Sequence, residues 1–320
     1  MGFVMTKRTM GFKIESTPYT AETLTANEYN IAAYNVSYAG DIPMKARKLV
    51  RGDFSNDPSV AGKRMLTVNF SVDVYYSGTP ATAPNYFACL RACGMKQTTH
   101  GSTGVSLVTD SGYSNVPATI EVVEKDEGTT PVQVVIKGRG MMGNPKIVLD
   151  NIGEPRRIDY EFKGVLVSIT DRAYASILAP SGISTVVPNA VLGASITLFD
   201  ATVKFNTYTI DLGNDVQVYT DPSKAEGYEG ARIVSRNPTL ELDPDLELIA
   251  TRGDYARWTG NTTGTFSEYS ENITISAPAV QIVKAYTPGE REGHVTNALS
   301  MELKRSAGND ELEILHGSKT

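Results

Sequence analysis

Short runs of two-residue alternation dominate the chain. In LTVNFSVDVYY, Leu66, Val68, Phe70, Val72 and Val74 alternate with Thr67, Asn69, Ser71 and Asp73, giving a strand with one apolar and one polar face. RRIDYEFKG repeats the theme, with Ile158, Tyr160 and Phe162 set against Arg157, Asp159, Glu161 and Lys163. Further strands are expected in ATIEVVEK, PVQVVIKGRG and NPKIVLD, with Asp126-Glu127-Gly128 as a hairpin turn between the first two. One segment breaks the alternation. PNYFACLRACGM, residues 84–95, reads as a helix of about three turns with Tyr86, Phe87, Leu90 and Cys93 inward and Gly94 as its stop. Gly, Thr, Ser, Val and Pro punctuate the remainder, so the expected fold class is mainly β.

The pattern then begins again. Residues 173–195 are almost uncharged and rich in Ala, Ser, Pro and Gly, which marks a connector. Beyond it FNTYTIDLGN resembles YNIAAYNVSY, NPTLELDPDLEL resembles the strand at 65–74, and GDYARWTG offers a second short helix anchored by Tyr255 and Trp258, the latter expected in the core. NPKIVLDNIGEPRRIDYEFKGVL and APAVQIVKAYTPGEREGHVTNALSMEL both read as Pro, short strand, Gly-Glu turn and long strand. The division expected is an N-terminal arm (1–28), a first β domain (29–172), a linker (173–195) and a second β domain (196–320), two tandem sandwiches or half-barrels each flanked by a short helix.

Charge and chemistry narrow the function. A formal net charge of −6 and the absence of any Lys/Arg block argue against tight nucleic-acid binding, and the acidic excess lies in the second half. No apolar run reaches the roughly eighteen residues of a membrane span, and the start lacks a signal-peptide core, so folding in a cytoplasm is expected. Cys89 and Cys93 read as buried thiols. His100, His294 and His316 lack ligand spacing, so no metal or cofactor is expected. No nucleophile elbow or Walker loop occurs, Ser168 and Ser276 read as strand residues, and Gly138–Gly143 resembles a dinucleotide loop by glycine count alone, lying between strands without a following helix. The spaced acids of ELDPDLEL read as a solvated strand face that Pro244 ends, and the two RGD triplets carry no claim. An enzyme is not expected.

Taken together, APNYFACLRACGM, a Ser/Thr/Gly loop, a hairpin, NPKIVLDNIGEP and the second-half APAVQIVKAYTPGEREG resemble the major tail tube proteins of long-tailed bacteriophages. The resemblance covers most of residues 40–310. It implies a structural virion protein, assembled in the host cytoplasm, whose tail-tube-type β domains join strands around a ring axis and whose rings stack head to tail. A tandem pair of such domains implies a trimeric ring of pseudo-sixfold symmetry, and a single fold implies a hexamer. The implied partners are other copies of the chain, the tail terminator, tape measure and distal tail proteins, and DNA that passes without tight binding. Candidate lumen residues are Thr67, Asn69, Ser71, Asp73, Asp159, Glu161, Glu241 and Asp243. The segment 39–62 is expected to be an inter-ring arm, with Lys45, Arg47, Lys48, Arg51, Asp53 and Asp57 as its charged contacts, and 213–237 as its second-half counterpart. The competing reading is a β-sandwich tail adhesin or carbohydrate-binding module, with Trp258, Tyr286 and Tyr228 available to stack on sugars.

Overall fold

The computed structural model describes residues 8–47, 49, 57–125, 132–173, 186–188 and 190–319. The chain is mainly β with antiparallel pairing throughout. Its first part contains β1 (Thr9–Ile14), β2 (Ala33–Asp41), β3 (Met44–Lys45), β4 (Val60–Ala61), β5 (Met65–Asp73), α1 (Phe87–Arg91), β6 (Met95–His100), β7 (Gly104–Thr109), β8 (Ala118–Lys125), β9 (Val132–Leu149) and β10 (Arg157–Ala173). The remainder contains β11 (Ser195–Leu198), β12 (Ala201–Val203), β13 (Tyr208–Asp211), β14 (Asn214–Thr220), β15 (Tyr228–Arg236), β16 (Thr239–Leu242), α2 (Ile249–Arg252), α3 (Asp254–Thr259), β17 (Thr263–Ser270), β18 (Ile273–Arg291), β19 (His294–Leu303) and β20 (Glu313–Gly317).

One strand order occurs twice. Neighbours in the first part run β1-β8-β9-β10-β5-β2, and in the second β11-β17-β18-β19-β16-β13. Even a register irregularity recurs at the same place, between Ala118 and Ile120 in β8–β9 and between Gly264 and Phe266 in β17–β18. The segments that resemble each other in sequence occupy matching places: β2 and β13, β5 and β16, the hairpins β9–β10 and β18–β19. The two orders fuse where β13 pairs with the far half of β9, Ile210 facing Ile147, just past the point where β8 leaves that edge. A second join is made by β20, which pairs with both β18 and β7.

Alternation explains why this sheet packs. Val72, Ile158, Ile147, Ile210, Leu240, Met301 and Ile282 form a single row across seven strands, each facing the next, and all are at most 3% exposed. A shift of one residue in any strand would turn its apolar set to water. Phe70, Tyr160 and Phe162 stack beside that row, and α1, packed against β1, β6 and β7, buries Phe87, Cys89 and Leu90 in the same core. This helix is shorter than the pattern predicts, five residues between turns, because Gly94 takes a left-handed conformation (φ 83°) and the chain turns directly into β6. Both thiols are fully buried, and burial pushes each well above the ordinary thiol range.

Other expectations change in detail. Gly138–Gly143 lies within β9, where close packing of Leu66, Met141 and Phe162 on Gly138 and Gly143 leaves no room for a Cβ. The Gly289-Glu290 pair is still inside β18, and the turn is made by Glu292 and Gly293. Trp258 is 36% exposed, its indole N–H donating to the Val283 carbonyl. The turn at 126–128, the first RGD triplet, most of the 173–195 connector and residues 1–7 of the N-terminal arm lie outside the described residues.

Candidate functional site

The face opposite the apolar row is polar from one half of the molecule to the other. Reading across strands, Ser71 faces Asp159, then Lys146, Asp211, Thr239, Glu302 and Gln281. The adjacent row on the same face runs Asp73, Arg157, Val148, Thr209, Glu241, Ser300 and Lys284. Directly opposed residues share a face, so the register alone places these side chains together. A third row begins with Asn69 facing Glu161 and then Asn144, and Thr67 faces Lys163.

The structure thus brings Thr67, Asn69, Ser71, Asp73, Asp159, Glu161 and Glu241 onto one surface. Asp243 falls just beyond β16, where Pro244 ends the ladder, and its carboxylate accepts the backbone N–H groups of Asn206 and Thr207. Its second oxygen accepts from Arg291, which also pairs with Asp245. Asp243 therefore anchors the hairpin of β18 and β19 beside the face. Glu241, Asp243, Lys284, Thr287 and Ser300 line an open cleft of about 270 Å³ there.

Lys146, Arg157 and Lys163 on this surface each face or pair with an acid, while Lys284 faces Ser300. Lys146 lies between Asp159 and Asp211 across the ladder. Arg157 pairs with Asp150 and donates to Asp159, while Lys163 lies 2.9 Å from Glu161. Ser71 donates to Asp159 at 2.7 Å, and Tyr34 donates to Asp73 at 2.8 Å; burial, and after it this bond to a carboxylate, raises the phenol well above its ordinary range. Binding a phosphate backbone draws on contiguous cations whose counterions can be released. This face sets carboxylates beside Lys146, Arg157 and Lys163 and holds no contiguous run of cations. Sequence reasoning missed Lys146, which the β9–β10 hairpin sets opposite Asp159, and Thr209, Asp211, Ser300 and Glu302, whose positions depend on the β9–β13 junction between residues far apart in the chain.

The arm candidates are more scattered. Lys45 sits in β3, which pairs with β4 alone among the described residues, and Arg47 is exposed beside it. Asp57 accepts the Leu49 backbone N–H, and Lys48, Arg51 and Asp53 lie outside the described residues. The 213–237 segment is a β14–β15 hairpin that folds back on the first half. Arg139 donates to the Tyr19, Tyr228 and Glu229 carbonyls and pairs with Glu226 at 3.1 Å, and Gly140 packs against Gly230.

Reactive groupings are sparse elsewhere. His100 contacts Ser106 at 2.8 Å, but Ser106 is buried and no carboxylate bonds His100 among the described residues. His316 is enclosed by Tyr86, Tyr76 and Phe87, and burial with the nearby Arg156 charge lowers it to about 3. Arg156 and Glu268 form a buried ion pair of 2.6 Å joining the β9–β10 turn to β17. Burial pushes Glu268 above the usual carboxylate range, against the pull of Arg156 and Ser270. Ser168 and Ser276 are strand residues in β10 and β18, and no three His, Cys, Asp or Glu side chains cluster to hold a metal among the described residues. No described helix is long and apolar enough to cross a membrane.

No protein-family model matches this sequence, and a search of curated proteins finds no match to it either.

Proposed function

We propose that the chain is a structural, self-assembling tube subunit of the tail-tube type, built from two tandem copies of one β fold. The observation that carries this reading is the mostly polar face, broken by Val148 alone in the two rows that cross the β9–β13 junction, laid across strands of both halves over a continuous apolar row. Curled around an axis, such a face lines a channel with hydroxyls, amides and acid-matched cations. Duplex DNA slides past it because no run of free cations holds the phosphates. Three chains would give six pseudo-equivalent units to a ring, and heterologous stacking would extend rings into a tube until terminator and tape-measure partners stop it.

Electron microscopy of the concentrated protein tests this. Uniform hollow rings or tubes with threefold or pseudo-sixfold end views are expected, and a protein that stays monomeric at every concentration overturns the reading. The exposed Tyr255, Trp258 and Tyr286 group favours a second reading, a sugar-binding adhesin module. Retention of the monomer on a glycan array would support that one instead.

A further inference from the structure

The internal junction has two counterpart edges, on β2 and on the far part of β18, that no described strand pairs with. At the junction, β13 uses its outer edge to pair with the far half of β9. The strand holding the place of β13 in the first order is β2, and among the described residues β2 pairs with β5 alone. Its Val36 carbonyl is taken by the Arg8 side chain, not by a strand. The strand holding the place of β9 in the second order is β18. Its ladder with β17 ends at Gln281, and no described strand pairs with that edge farther on, where the Val283 carbonyl accepts the Trp258 indole instead.

Each of these edges also exposes apolar side chains. Tyr38, on the core side of β2 opposite Val68, is 36% exposed, followed by Ile42 at 39% and Met44 at 61%. Along this edge of β18, which no described strand pairs and which α3 flanks, Tyr286 is 39% exposed and packs with Tyr255 and Trp258, while Val283 is 51% exposed. An edge strand with uncovered apolar residues is a template for another strand. The counterpart of Tyr38 in the second order is Ile210, since both face the core row through β5 or β16, and Ile210 is buried against β9.

From this we infer that a second copy of this chain seats residues 36–39 of its β2 antiparallel against residues 285–291 of β18, repeating between molecules the β13–β9 junction found within one. Tyr38 then closes over Tyr286 and Trp258. The two edges are different surfaces, so the contact is heterologous and propagates until a ring closes. The inference rests on the reading of the chain as a self-assembling subunit, and adds which edges meet.

Tyr38→Cys and Tyr286→Cys test the contact with bismaleimidoethane, a short linker that tolerates a register change of a residue or two. The native cysteines are buried and give little background. The double variant should give a covalent ladder that stops at a closed ring, while each single variant alone stays uncoupled. Equal coupling in single and double variants overturns the contact. A second pair of variants, Tyr38→Arg and Trp258→Arg, should each yield folded monomers with unchanged circular dichroism, and persistence of full assembly in both would also overturn it. Intact rings or tubes without the bridge sink the contact but leave the tube reading. Bridged oligomers that never close into rings or tubes do the reverse.

Discussion

Ile147 of β9 and Ile210 of β13 face each other across the ladder that joins the two halves, 63 positions apart in the chain and each at most 2% exposed. Truncating Ile210 to Ala removes buried methyl groups from the middle of the seven-strand apolar row. A loss of about 2–5 kcal/mol is expected, depending on how far the neighbours relax. Urea unfolding of Ile210→Ala measures it, and a change below about 1 kcal/mol would show that the junction carries little of the fold.

Removing one partner of the Arg156–Glu268 pair leaves a charge buried without compensation. Arg156→Ala should cost about 3–5 kcal/mol, whereas the double replacement Arg156→Leu with Glu268→Leu should recover most of that loss. Comparing the single and double variants by thermal unfolding separates the penalty of an orphaned carboxylate from the net worth of the pair.

His316 gives stability a pH dependence whose sign follows from burial. Its folded value is lowered from 6.5 to about 3, so below 6.5 the unfolded chain takes up a proton that the folded chain refuses. Stability present above pH 6.5 therefore falls as pH drops from 6.5 toward 3, by up to about 1.4 kcal/mol per unit from this group. His316→Gln, which can still bond the Tyr86 hydroxyl, should flatten that part of the profile. An unchanged slope would assign the dependence to other groups.

Gly140 holds a positive φ of 58° within 2.8 Å, at an added Cβ, of the Gly230 backbone. Gly140→Ala should destabilise by more than about 1 kcal/mol and lift the β14–β15 hairpin off β9. Faster limited proteolysis at the exposed 221–226 turn would register the change before global unfolding does.

Glu161 and Glu241 are exposed carboxylates on the polar face. Changing both to Lys should alter stability by no more than about 0.5 kcal/mol per site. Assembled variant protein should retain duplex DNA at low salt and release it as salt rises, which co-sedimentation measures. Absence of DNA retention in intact assemblies would remove this face from the channel lining.

Much of the architecture was legible in single strands. The alternation in 66–74 and 157–163 fixed which side chains share a face, because a pleated strand has a period of two, and the 84–95 segment, with Arg91 as its one charge and Tyr86, Phe87 and Leu90 on one stripe, announced a buried helix. Internal resemblance in the sequence pairs β2 with β13, β5 with β16 and β9–β10 with β18–β19, and the strand order matches them in the same way. Nothing local in the sequence could show that β13 docks on β9, that the 213–237 hairpin folds back over Gly140, or that His316 is enclosed among aromatic rings. Those outcomes depend on contacts between residues far apart in sequence, whose partners are chosen by the summed burial of whole faces. The chain itself determined what each face is made of. Only the tertiary structure decided which faces meet, and that the edge of β2 is left without a strand among the described residues.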